Sequence, residues 1–192
     1  LSYGLGSVSS GISNQVLSAA VLQLYFNQVL GLPAVWVGAA IMVSLIVDAF
    51  IDPLIGLWSD NFRSRLGRRH AFMYASAAPV AVAFYFVWNG PTDLSVPAMF
   101  AYMVASLILV RLAVTFYDIP STALAPELAP NYDDRTTLLA FRYFFGIIGG
   151  AVMTMLLYQV FLRQDADNPL GVLDRSGYGR FGAVAAVVMF VC

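Results

Sequence analysis

Residues 1–47 carry no formal charge, and the first two groups to end that run, Asp48 and Asp52, are carboxylates inside a further apolar stretch. A soluble domain cannot clothe its surface with such a segment. A bilayer crossing needs about 20 mostly apolar residues, so the run is long enough for more than one crossing, and Gly31-Leu32-Pro33 divides it. The composition agrees. Of 192 residues, 60% are hydrophobic and only 11% charged, against about 25% in ordinary soluble domains. The expected fold class is therefore all-α, a polytopic membrane protein.

Six helices are expected, over about 4–29, 34–59, 71–89, 95–119, 139–162 and 181–192, the fourth stopping at Pro120 and the sixth truncated. Between the fourth and fifth, residues 126–137 read as a polar segment. The chain starts without methionine and stops in a hydrophobic run, so it reads as a piece of a longer protein, with no cleavable signal peptide evident. Every basic residue is arginine. Four of them (Arg63, Arg65, Arg68, Arg69) fall between the second and third helices and Arg135 between the fourth and fifth, which predicts a cytoplasmic N-terminus. Three more (Arg163, Arg175, Arg180) lie on the other side, accompanied by three acids. One cysteine, Cys192, leaves no internal disulfide, and His70 is the single histidine, so metal clusters and Ser-His-Asp chemistry lack material. No P-loop is present. The chain does not read as an enzyme.

Asp48 and Asp52 lie four apart, on one helical face and one turn from each other. A carboxylate at the centre of a membrane helix costs about 2.5–3.5 kcal/mol on insertion scales. Two on one face repel, which favours a proton on one of them or a cation between them. The alternative is a pair near the helix end, reaching water. Asp118 ends the fourth helix in Thr115-Phe116-Tyr117-Asp118-Ile119-Pro120, with Thr115 one turn and Arg111 two turns before it. Asp118 and Thr115 are candidates to complete an oxygen cage begun by Asp48 and Asp52; the alternative is an intrahelical pair of Asp118 with Arg111. Arg142 either reaches a substrate, pairs with Asp118, or anchors its helix at the interface. Tyr25, Phe26, Trp36 and Tyr85 are candidate pocket residues or, alternatively, interface anchors. Gly146, Gly149 and Gly150 offer a small face for close helix packing.

Residues 56–69, Gly-Leu-Trp-Ser-Asp-Asn-Phe-Arg-Ser-Arg-Leu-Gly-Arg-Arg, resemble the signature loop between the second and third helices of the major facilitator superfamily, with Gly56, Asp60, Gly67, Arg68 and Arg69 on the motif. The stretch from Asp48 to Gly56, the opening Leu-Ser-Tyr-Gly-Leu-Gly, Tyr117-Asp118-Ile119-Pro120 and Arg142-Tyr143-Phe144-Phe145 resemble the glycoside–pentoside–hexuronide:cation symporter branch, in the same order. The resemblance implies the N-terminal six-helix half of a twelve-helix transporter. It implies a coupling Na⁺ or H⁺ held by Asp48 and Asp52 with Thr115 nearby, a substrate facing Asp118 and Arg142, and a cytoplasmic gate of Asp60 with the arginines. The chain departs from the melibiose-permease pattern of that branch at three positions. Ile51 stands where an asparagine ligand is expected, Gly11 where a sugar-binding aspartate is, and Thr122 where an aromatic platform is.

The expected function is cation-coupled symport of a sugar, glycoside or similar small polar solute, with no cofactor beyond the coupling ion. Asp48, Asp52, Thr115 and Asp118 are the expected cation ligands, and Asp118, Arg142 and Tyr25 the substrate contacts. The expected partners are the solute, the lipid bilayer and the missing C-terminal half, with no nucleic acid. The expected location is a bacterial inner membrane. A lysolipid carrier of the same fold, or a non-transporting membrane scaffold, is the alternative.

Overall fold

The structure, a computed structural model, describes residues 2–62, 69–129, 131–164 and 171–192. Its regular elements are all helical. They are α1 (Ser2–Leu5), α2 (Ser7–Val16), α3 (Ala19–Leu22) with a wider π-helical continuation (Gln23–Val29), α4 (Ala34–Asn61), α5 (His70–Trp88), α6 (Val96–Leu128), α7 (Tyr132–Leu156) with a π-helical end (Leu157–Phe161), and α8 (Arg175–Val191). A single 3-10 turn (Gly171–Leu173) precedes α8.

Four helical stretches, at 34–61, 70–88, 96–128 and 132–161, are long and apolar enough to cross a membrane. The first expected helix is interrupted at Leu17 and Ser18, where Ser18 turns to extended backbone before α3. Gly31 has a positive φ of 76°, which lets the chain reverse into α4.

The fourth helix does not stop at Pro120. It runs through Pro120 and Pro126 to Leu128, and most of the segment expected to be a polar loop is helical, because α7 begins at Tyr132. Proline removes one amide donor, but a membrane helix tolerates this where neighbours satisfy the freed groups. The carbonyls freed are those of Phe116 and Thr122, four residues before each proline; between them, the Asp118 carbonyl accepts from Thr122 Oγ1 at 2.7 Å and from Arg142 at 3.4 Å. The sixth expected helix starts earlier too, at Arg175, because Asp174 caps it by accepting from the Ser176 and Gly177 amides.

α6 is the hub: α4 and α5 both pack along it, α8 packs on α5, and α2 lies against α7. Glycine makes that last contact. A Cβ on Gly11 would overlap the Gly146 carbonyl, one on Gly150 would lie 2.5 Å from the Gly11 carbonyl oxygen, and one on Gly149 would meet Val8. The expected small-residue face of α7 is thus the seat of α2. At the opposite side an aromatic knot joins the π-helical turn, α5 and α8. Trp88 stacks on Tyr178 with ring centroids 5.7 Å apart, Phe181 abuts Trp88 edge-on, and Tyr25 is wedged among them.

Outward faces are apolar. Phe50, Leu54 and Leu57 on α4 and Val152 on α7 are exposed, as residues facing hydrocarbon should be.

Two outcomes check this packing in the full-length protein. Gly11→Val forces α2 off α7 and should lower stability to unfolding by about 2–3 kcal/mol, while Gly38→Ala, with nothing within 4 Å of an added Cβ, should not. Equal tolerance at both positions would contradict the contact. Asp174→Ala removes the α8 cap and should cost about 1 kcal/mol. Desolvation alone would raise the Asp174 carboxyl, but the hydrogen bonds from Ser176 and Gly177 and the nearby Arg180 hold it below the usual carboxylate range. The cap is therefore at full strength above the ordinary aspartate pKa and is lost as pH falls through the lowered value. An acid-melting series should show wild type and Asp174→Ala converging at the acid end and separated at neutral pH.

Candidate functional site

One stripe of α4 holds Val37, Ala40, Ser44, Asp48, Asp52, Ile55 and Ser59 at spacings of three and four. The uncharged members of that stripe are buried, and the two acids are half-buried among them. The acids sit on this stripe because they are one and two turns beyond Ser44. The stripe faces α6, where the same periodicity lines up Arg111, Thr115, Asp118 and Thr122.

The two aspartates have different partners. Asp48 Oδ2 accepts from Arg111 Nη1 at 2.9 Å, with the two side chains 22% and 27% exposed. Asp52 Oδ1 accepts from Thr115 Oγ1 at 3.0 Å. Both acids line a cavity of about 160 Å³, together with Ser13, Asn14, Arg111, Thr115 and Asp118. All four expected cation ligands meet there. Arg111 does not pair with Asp118 along its own helix; it crosses to α4.

Asp118 is tied from two other helices. Ser10 on α2 donates to its Oδ1 at 2.8 Å, and Arg142 on α7 forms an ion pair with the same oxygen. Arg142 also donates to Thr122. The Arg142 side chain is 8% exposed while Asp118 is 41% exposed, so the guanidinium is sequestered and the carboxylate opens onto space. That excludes Arg142 as an interface anchor. The space is a second cavity of about 200 Å³, lined by Ser7, Ser10, Asn14, Asp118, Thr122 and Arg142 among others. Asn14 and Asp118 belong to both cavities. Ser7 is 3% exposed, and its hydroxyl has no hydrogen-bond partner among the described residues.

Tyr25 is not in this site. It is fully buried in the aromatic knot, where its hydroxyl donates to the Trp88 carbonyl at 2.8 Å, so the expected substrate contact is replaced by a structural one. Phe26 is buried beside it, and Trp36 and Tyr85 line neither cavity. The departures at Gly11 and Thr122 have physical grounds. Any side chain at Gly11 would strike α7, and Thr122 is a hydrogen-bonding link between Arg142 and the Asp118 carbonyl.

A third cluster joins the ends of α4, α5 and α6. Arg69, just before α5, pairs with Asp60 at 2.8 Å and with Glu127 at 2.8 Å, and it donates to the Ala123 carbonyl. Asp60 and Arg69 thus meet as the motif implies, and Glu127 joins them. A Cβ on Gly56 would stand 3.7 Å from an Ile119 methyl, an ordinary contact, so the packing of α4 on α6 leaves room for a side chain there. Gly67 and Arg68 lie outside the described residues.

Sequence reasoning missed Ser7, Ser10, Asn14 and Glu127. The three on α2 belong to a serine-rich run in an otherwise apolar helix, a signal legible only once α2 is known to face α6 and α7.

The family model for MFS/sugar transport protein matches residues 2–192. Similar proteins include an uncharacterized symporter of Synechocystis sp., 34% identical over 98% of this chain and 34% of the relative. An isoprimeverose transporter of Lactiplantibacillus pentosus is 28% identical over 81% of this chain and 32% of its own. A sphingosine-1-phosphate transporter of Mus musculus is 29% identical over 73% of this chain and 28% of its own. The chain spans between about a third and two-fifths of the length of the bacterial relatives that match nearly all of it. With its apolar helices it is an integral, multi-pass membrane protein. It belongs to the MFS/sugar transport protein family.

Proposed function

We propose that the full-length protein is a secondary active symporter that moves a small polar solute, a sugar or glycoside first, with Na⁺ or H⁺. One observation carries this reading: two polar cavities inside a membrane helix bundle share Asp118 and Asn14 as a common wall. The smaller is lined by three carboxylates, of which Asp48 and Asp118 are paired with arginines and Asp52 has only a hydroxyl partner, so its charge is the one a proton or cation neutralises. The larger presents an ion-paired carboxylate and several hydroxyl and amide groups, the set that suits a polyhydroxylated solute. Solute at Asp118 and cation at Asp52 each change the field felt by the other. Coupling follows when both favour the same closed arrangement. Alternating access then comes from rocking of this half against the missing one. The Arg69 cluster is the cytoplasmic gate in this scheme, which places the N-terminus in the cytoplasm and suits a bacterial inner membrane.

A second reading, a lysolipid carrier, is favoured by the relative named as a sphingosine-1-phosphate transporter. A phosphate would be held by Arg142 with the serines of α2.

The test is uptake of labelled glycosides, and in parallel of sphingosine-1-phosphate, into proteoliposomes of the full-length protein under an imposed Na⁺ or H⁺ gradient. Gradient-driven glycoside uptake that falls at least about tenfold in Asp52→Asn, in line with usual coupling energies, supports the symporter. Uptake of the lysolipid alone replaces it with the second reading. The gate is checked separately. Arg69→Gln removes three contacts on a partly solvated group, worth about 1 kcal/mol together, and should speed amide exchange several-fold at residues 59–62 and 125–129. Unchanged exchange there would remove Arg69 from the gate.

A further inference from the structure

Within an acidic pair suited to an external cation, one member is already answered. Arg111 reaches from α6 to Asp48 across 2.9 Å. Asp52, one turn further along α4, has Thr115 instead. The cavity they share is small, about 160 Å³, and the Arg111 guanidinium stands in it. The charged groups around it are Asp48 and Asp52 from α4 and Arg111 and Asp118 from α6; Asp118 is turned to Arg142 of α7, and α2 contributes only the neutral Ser13 and Asn14.

We propose that Arg111 is a tethered competitor for the coupling cation, a specificity-determining residue that keeps Asp48 out of the ion's coordination shell. This rests on the symporter reading of the same cavity. A free cation arriving there meets one unclaimed carboxylate rather than two, and a fixed positive charge stands beside it. To recruit Asp48 it must displace a guanidinium that is held on its own helix and never diffuses away. The competition is intramolecular, so it acts at an effective concentration set by the side chain's tether rather than by the solution. The consequence is weak binding of sodium and lithium. Arg111 therefore positions Asp48 and sets which ions the site accepts, without itself touching the ion.

The direction of the effect separates this role from a structural one. If Arg111 only braced α6 against α4, removing it would loosen the site and weaken ion binding. A tethered competitor does the opposite: its removal releases Asp48 and strengthens binding.

The experiment titrates NaCl, with choline chloride holding ionic strength, against the thermal unfolding midpoint of the full-length protein in detergent. Arg111→Gln should lower the half-saturating sodium concentration about tenfold or more, which corresponds to about 1.4 kcal/mol. Adding Asp48→Asn to that variant should cancel the gain. Unchanged or weaker sodium binding in Arg111→Gln overturns the proposal, and so does a gain that survives Asp48→Asn. Arg111→Lys keeps the charge and carries the test should the glutamine variant not fold. It should hold the wild-type half-saturation, and a tenfold gain there overturns the proposal as well. Failure here leaves gradient-driven uptake and its loss in Asp52→Asn intact. Conversely, absence of uptake under any gradient sinks the symporter reading, whatever sodium does to the midpoint.

Discussion

The ion pair between Asp118 and Arg142 is the contact on which the interior of this bundle depends. Arg142 is the sequestered member, 8% exposed, and removing its carboxylate would leave a buried charge uncompensated. Their union fixes more than electrostatics. It ties α6 to α7, and Ser10 adds α2 to the same carboxylate oxygen. Thr122 then fastens the guanidinium from a second direction. Three helices are thereby registered against one another at the level where the two cavities meet. Asp48 with Arg111 does the same for α4 and α6 one layer away. The polar groups therefore hold these helices and shape the cavities at once, and neither α4 nor α7 could slide by a turn along α6 without orphaning a charge.

Between these polar layers the apolar packing is of two kinds. α2 on α7 is a contact of backbones, made possible by Gly11, Gly146 and Gly150. The far side is a contact of rings, with Tyr25, Trp88, Tyr178 and Phe181 closing the bundle where α5 and α8 meet the π-helical turn. The difference matters for the cavities. Close backbones bring Ser10 to Asp118 and set Ser7 and Asn14 into the wall of the same cavity, whereas the rings bury Tyr25 completely.

Much of this was legible in the sequence, for reasons that can be stated. Long uncharged runs, isolated carboxylates four apart and a cluster of arginines are signals imposed by the bilayer itself, so the helices of α4, α5 and α7 and the convergence of Asp48, Asp52, Thr115 and Asp118 could be expected. Three things could not. Pro120 reads as a helix end because proline removes a donor, yet α6 runs through it to Leu128, packed along α4 and α5. Tyr25 reads as a pocket residue because an aromatic with a hydroxyl suits either a ligand or a core, and the choice is made by Trp88 and Tyr178, distant in sequence. Arg111 has an aspartate two turns along its own helix and another across the interface, and spacing alone cannot choose between them.

α6 carries Arg111, Thr115, Asp118, Thr122, Ala123 and Glu127 on a single uninterrupted rod of 33 residues, about 50 Å long. The two cavities and the end cluster are thus not three devices linked by a chain of contacts but three fittings on one shaft. A turn of that shaft by a few degrees shifts all of them together and in proportion to their distance from its axis. Its two internal prolines, Pro120 and Pro126, leave the bonds to the Phe116 and Thr122 carbonyls unmade, so the shaft is loosened over residues 116–126, the stretch that carries Asp118 and Thr122. Torsion applied at the end cluster is therefore absorbed first at that joint. What remains passes beyond it to Thr115 and Arg111.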